Sequence, residues 1–68
     1  MLQAMWTDRD DGWKVATIQG HDLRVRQTGP NEFQLSIDGQ ARTRREPEAT
    51  MAGLQLSMAR TALMLPPR

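Results

Sequence analysis

Cysteine and tyrosine are absent from this chain, and phenylalanine occurs once. Without cysteine there is no disulfide and no thiolate-held zinc, which fits a reducing compartment. Histidine also occurs once, as His21 in a Gly-His-Asp turn cluster, so no second imidazole or thiol exists to complete a metal site. No serine has histidine and acidic partners at a catalytic spacing, and a phosphate-cradling glycine loop is missing. Asp8, Asp10 and Asp11 do not make a calcium loop: that loop would need a ligand at Gly12, its glycine at Trp13 and a Glu at Gln19. These absences point to a non-enzymatic protein with no cofactor, no metal and no small-molecule substrate, which acts by binding.

Long apolar runs are lacking too. The longest is Ala62 to Leu65, against the roughly 20 residues of a membrane span. The opening MLQAMW has neither a positive charge nor an apolar stretch of signal length. The expectation is therefore a soluble cytoplasmic protein with no membrane partner. At 68 residues the chain suits one domain with a modest core, since such domains bury only about 60% of the surface their unfolded chains expose.

Charge is nearly balanced, at +1, but unevenly placed. Residues 1–38 hold four basic and six acidic side chains, and residues 39–68 hold five basic and two acidic. Eight of the nine basic residues are arginine. Arginine grips phosphate and carboxylate in bidentate fashion, although GC-rich coding would give the same bias.

Turn signals recur at Asp10-Asp11-Gly12, Gly20-His21-Asp22, Gly29-Pro30-Asn31 and Asp38-Gly39. Between them, Trp13 to Ile18, Leu23 to Arg26 and Phe33 to Asp38 alternate apolar with polar, the period of a half-buried strand. Asp38-Gly39 is a favoured two-residue hairpin turn, which returns Gln40 to Arg44 as a short polar edge strand. Met1 to Thr7 is a candidate for a further strand. Beyond Arg45 the period changes to that of a helix, from about residue 47 to 65. Pro47 suits its first turn, Thr43 and Glu46 have capping-box spacing, and Pro66-Pro67 stops it. The fold class is thus α+β: an antiparallel three- to four-stranded meander, with strands within about 13–44, packed against one carboxy-terminal helix. The helix stripe Leu54, Leu65, Met58, Met51 and Ala62 is expected to pack on Val15, Leu23, Val25, Phe33, Leu35 and Ile37. Gly53 lies off that stripe, where a close helix–helix approach would use it.

Two surfaces remain. On the helix, Ala59, Ala52, Leu63 and Leu56 widen the apolar arc to roughly 200°, and Met64 is apolar beyond it. Leu56, Leu63 and Met64 are the candidate seam for a homodimer or another protein, unless Leu2, Met5 and Trp6 fold back to cover it. On the sheet, Lys14, Arg24 and Arg26 are expected on the solvent face beside Gln34, with Arg42, Arg44 and Arg45 extending the basic character toward the helix. Such a face can hold phosphates, or be an ordinary solvated surface paired to Glu32, Asp22 and Asp38. Trp13 is expected in the core, with Trp6 as the exposed candidate anchor.

The order of elements, a three-stranded antiparallel sheet followed by a helix, resembles integrase amino-terminal DNA-binding domains and the double-stranded-RNA-binding domain without its first helix. The first resemblance implies that Lys14, Arg24, Arg26 and Gln34 would enter a groove. The chain also resembles, in size and element order, small accessory proteins of phages and mobile elements. These include anti-CRISPR proteins and other inhibitors of host nucleic-acid machinery, a resemblance that implies blockade of a protein surface. Two functions follow as expectations: a protein-binding inhibitor module, or a DNA- or RNA-binding accessory domain. Near-neutral charge and the apolar helix favour the first.

Overall fold

The computed structural model describes residues 5–68; the expectations for Leu2 and the rest of residues 1–4 lie outside the described residues. It is an α+β fold of five antiparallel strands and one helix: β1 (Thr7–Asp8), β2 (Lys14–Ile18), β3 (His21–Gly29), β4 (Glu32–Ile37), β5 (Gln40–Arg45) and α1 (Met51–Met64). Each strand pairs with the next in sequence, so the sheet is a simple meander. The fifth strand, beyond the three or four expected, is the two-residue β1, which pairs Thr7 with Val15 and Asp8 with Lys14.

Two tight turns set the register. Asp38 and Gly39 take φ of 53° and 86°, and Gln19 and Gly20 take 51° and 81°. Positive φ at both central residues is the hairpin geometry whose twist matches the flanking strands. The Asp38-Gly39 turn is the one the sequence indicates. The second turn falls one position earlier than Gly20-His21-Asp22 suggests, so His21 becomes the first residue of β3, paired with Ile18.

That shift decides which face of β2 is buried. With Ile18 opposite His21, Ala16 lies opposite Leu23 and Val15 opposite Arg24. Ala16 and Ile18 therefore join Leu23 and Val25 in the core, and Val15 and Trp13 turn to the other face. This corrects the expectation for Val15 and Trp13: apolar residues occupy both parities of β2, and only the turn chooses between them. The place expected for Trp13 belongs instead to Trp6, which packs against the core from just before β1.

The helix starts later than residue 47. Pro47 lies in a turn closed by Ala49 N–H donating to Glu46 O at 3.2 Å, and the cap is Thr50, whose Oγ1 accepts from Gly53 N–H at 3.0 Å. Thr50 supplies one acceptor for the four unpaired N–H groups of the first turn. A Cβ on Gly53 would lie 3.0 Å from that same Oγ1, so glycine accommodates the cap contact. Leu54, Met58 and Ala62, one turn apart, are buried on β3 and β2. Leu65 follows the helix with extended backbone and is partly exposed, outside the stripe expected for it.

Candidate functional site

The seven polar residues expected to form one basic surface divide between the two faces of the sheet. Strand pairing sets Arg24 opposite Ser36 and Arg26 opposite Gln34, and places Arg45 opposite Glu32. These side chains share the face away from α1. Lys14 is opposite Val25, and Arg42 and Arg44 are opposite Leu35 and Phe33, so these three project on the helix side. Lys14 is spent on Asp8 at the β1 edge, with Nζ 2.6 Å from Oδ1.

On the outer face most charge is neutralised in place. Arg24 Nε donates to Asp22 Oδ2 at 3.0 Å and Arg45 Nε to Glu32 Oε1 at 2.7 Å. Arg45, followed by the Thr28 hydroxyl, holds the Glu32 carboxyl below its ordinary range. Arg26 has no carboxylate partner among the described residues; its Nε donates to Gln34 Oε1 at 3.0 Å and its guanidinium lies 4.6 Å from the centre of the Trp13 ring. The tryptophan that alternation alone assigns to the core is therefore the aromatic feature of the open face.

On the helix side, α1 covers β2 and β3 and stops there. Beyond it opens a groove of about 510 Å³ between α1 and β5. Leu35 and Ile37 of β4 with Met58 and Leu65 from the helix and its end give it an apolar lining, and Arg42 and Arg44 line it from β5. Arg44 lies 3.6 Å from Glu46, whereas Arg42 has no ion-pair partner among the described residues. Arginine stems over an apolar floor, with their charged ends in solvent, suit a ligand that is both greasy and anionic.

One end of this groove is pinned by a network that the sequence gives little sign of. His21, only 5% exposed, has Nδ1 2.7 Å from Asp38 Oδ2 and Nε2 2.7 Å from the Pro66 carbonyl. Both neighbours are acceptors, so satisfying both requires protons on both nitrogens, an imidazolium. The bond to Asp38, then that to Pro66, raises the His21 pKa. The same bond, with the Asp22 N–H donating to Oδ1, lowers Asp38 to about 2. Arg68 Nη1 is 3.3 Å from Asp38 Oδ1, and Arg68 N–H donates to Gln19 O at 2.8 Å. The tail after α1 is thus fastened across both tight turns.

The proposed helix seam also divides. Leu63 packs against the core, while Leu56 and Met64 are 54% and 87% exposed and stand about 80° apart around the helix. Asp11 has a local use: its Oδ1 accepts from Trp13 N–H at 3.1 Å, closing the acidic turn. Among the described residues no group of three or more His, Cys, Asp or Glu is placed to hold a metal ion, and no helix is long and apolar enough to cross a membrane. Comparison with known proteins finds no matching family model, no matching curated protein and no matching solved structure.

Proposed function

We propose that this protein is a small non-enzymatic binding module whose docking surface is the groove between α1 and β5, and whose partner is a protein segment carrying carboxylates and an apolar anchor. One observation carries this reading: Leu35, Ile37 and Met58 line a groove whose β5 rim is Arg42 and Arg44. Apolar anchors supply affinity at such surfaces and rim charges supply selection and on-rate. An inhibitor of nucleic-acid machinery, the class the chain resembles in size and element order, would use the surface to occlude an acidic patch on its target, a CRISPR effector being one such target.

A second reading, binding of DNA or RNA on the outer sheet face, draws on Trp13 beside Arg26, since an aromatic ring with an arginine is a stacking platform for bases. Asp22 and Glu32 neutralise the flanking Arg24 and Arg45 there, leaving little charge to engage phosphates.

The two are separated by titrating labelled protein, followed by NMR, with a peptide that mixes glutamate and leucine and with a short DNA duplex. The expected result is that the peptide shifts the methyl signals of Leu35, Ile37 and Met58, and the duplex shifts nothing at low salt. Shifts of Trp13 and Arg26 with the duplex, fading as salt rises, would replace the first reading by the second. Light scattering on the same samples tests the homodimer: a dimer that Leu56→Glu dissociates would restore the helix as a seam.

A further inference from the structure

β5 is the last strand of the sheet, and its far side pairs with nothing among the described residues. Which backbone groups it leaves open follows from the hairpin. In a two-residue hairpin the closing pair, here Ile37 and Gln40, exchanges its backbone bonds. Bonded and non-bonded pairs then alternate along the ladder. Gln40, Arg42 and Arg44 therefore turn their N–H and C=O groups toward β4. The Glu46 N–H donating to Asn31 O at 3.2 Å continues the same parity past the strand's end. Ala41, Thr43 and Arg45 turn theirs outward, to the open edge.

An edge of this kind is a template for another strand, and its side chains decide which strand it accepts. A segment bonded antiparallel to Ala41, Thr43 and Arg45 has two of its residues directly opposite Arg42 and Arg44. Those pairs are the non-hydrogen-bonded kind, with Cα atoms about 4.5 Å apart and side chains at their closest. Both project on the groove side, two residues apart in the partner.

A second copy of this chain is a poor occupant. Antiparallel pairing of β5 with itself about Thr43 sets Arg42 of each copy against Arg44 of the other, and like charges directly opposite are destabilising. Carboxylates at the same two places are attracted instead. The guanidiniums that oppose self-pairing in this central register thus favour acidic strands.

We propose that β5 is a strand-addition edge for an extended protein segment with acidic residues at alternate positions, bonded antiparallel along Ala41, Thr43 and Arg45. The proposal rests on the protein-binding reading and names both the partner's chemistry and its conformation.

The test uses three short peptides on the full chain: one alternating glutamate with threonine, its lysine counterpart, and the glutamate peptide N-methylated at the amides that would face β5. Amide exchange and chemical shifts are read residue by residue. The glutamate peptide is expected to protect the amides of Ala41, Thr43 and Arg45 while leaving those of Gln40, Arg42 and Arg44 as they were. Affinity is expected to fall about tenfold for the lysine peptide, the loss of two cross-strand charge pairs, and to disappear on N-methylation. The double variant Arg42→Glu/Arg44→Glu is expected to exchange the preference, binding the lysine peptide over the glutamate one. Equal binding of the N-methylated peptide overturns strand addition, and unprotected amides at Ala41, Thr43 and Arg45 overturn it as well. Equal binding of the lysine peptide overturns the acidic partner. The groove reading is judged separately, by the Leu35 and Ile37 methyl shifts with the leucine-containing peptide, so either idea can fail alone.

Discussion

The helix-facing side of the sheet has two halves made of different material. Over β2 and β3 its central side chains are Ala16, Ile18, Leu23 and Val25, all buried, and α1 lies on them. Over β5 they are Gln40, Arg42 and Arg44, all exposed, and nothing in the described chain covers them. Between the halves, β4 contributes Phe33, which is buried, and Leu35 and Ile37, half-buried at the edge of the helix. A single helix with one buried row, Leu54, Met58 and Ala62, covers about two strands, since strands lie about 4.8 Å apart and a helix is about 10 Å wide. It settles on the pair that offers a continuous apolar patch, with Lys14 and His21 at the strand starts. The remaining apolar strip is left beside a charged one, and that juxtaposition is the groove. One half of the sheet face holds the fold together; the other is left exposed.

The division is broken most directly in the covered half. Leu54 is 4% exposed, and Leu54→Ala is expected to cost about 2–5 kcal/mol, a large share of the stability of so small a domain. Urea unfolding followed by circular dichroism measures it, and a loss below about 1 kcal/mol would mean that α1 is not anchored where the buried row places it. Gly20→Ala comes next. Gly20 has φ of 81°, and a Cβ there would stand 2.5 Å from the Arg68 carbonyl oxygen. The left-handed conformation costs a residue with a Cβ about 1–2 kcal/mol, and the tail must shift as well. Loss of Arg68 amide protection in this variant is the expected signature, and its retention would show the tail is not held by the turn.

The clamp on that tail sharpens the comparison through pH. His21 has its pKa raised by Asp38 and Pro66, so its contribution is complete below the ordinary value of 6.5 and is lost as pH climbs through the raised value. Asp38 is lowered from 3.8 to about 2, so its contribution is complete above 3.8 and is lost as pH falls toward 2. The groups facing the imidazole are Asp38 from the β4–β5 turn, the Asp22 backbone through Asp38, and Arg68 with Pro66 from the tail. Glu32, lowered from 4.5 by Arg45 and Thr28, starts to lose its contribution first, so Tm measured against pH is expected to be level between 4.5 and 6.5, with a decline on each side. In His21→Gln the alkaline decline should vanish while part of the acid decline remains, because Asp38 keeps its bond from Asp22. An unchanged alkaline limb in the variant would assign it to another group.

Much of this architecture is legible in the sequence, for reasons that can be named. Leu23 and Val25 alternate with Arg24 and Arg26, and Phe33, Leu35 and Ile37 with Gln34 and Ser36, so β3 and β4 each have one face that can be buried. Asp38-Gly39 announces its turn because few other pairs tolerate positive φ twice. β2 is illegible by the same rule: Trp13 and Val15 compete with Ala16 and Ile18, and the outcome hangs on Gln19, a residue with no special liking for φ of 51°. The helix start misleads because Pro47 suits a turn as well as a first helical turn, and Thr50 is as good a cap as Thr43. The basic residues count as one cluster until strand parity separates Arg42 and Arg44 from Arg24, Arg26 and Arg45. The His21 clamp joins positions 17 and 45 residues apart, which no local pattern reveals.

The smallest expected effect tests the other half of the comparison. If β5's charged face is kept for binding and not for folding, removing it should leave stability almost untouched. Arg42 is exposed and has no ion pair among the described residues, and Arg44 has only a 3.6 Å contact with the exposed Glu46. Exposed pairs contribute about 0–1 kcal/mol, and surface substitutions away from special features stay within about 0.5 kcal/mol. Arg42→Ala/Arg44→Ala is therefore expected to unfold in urea within about 0.5 kcal/mol of the parent, with the same dependence on denaturant. Two departures would be informative in opposite ways. A clear loss would mean that the arginine stems shelter Leu35 and Ile37 enough to count as part of the core, and the two halves would merge. A gain would mean that the guanidiniums repel one another across two positions of one strand face, a strain retained at some cost to stability, as expected of residues kept for a partner and not for the fold.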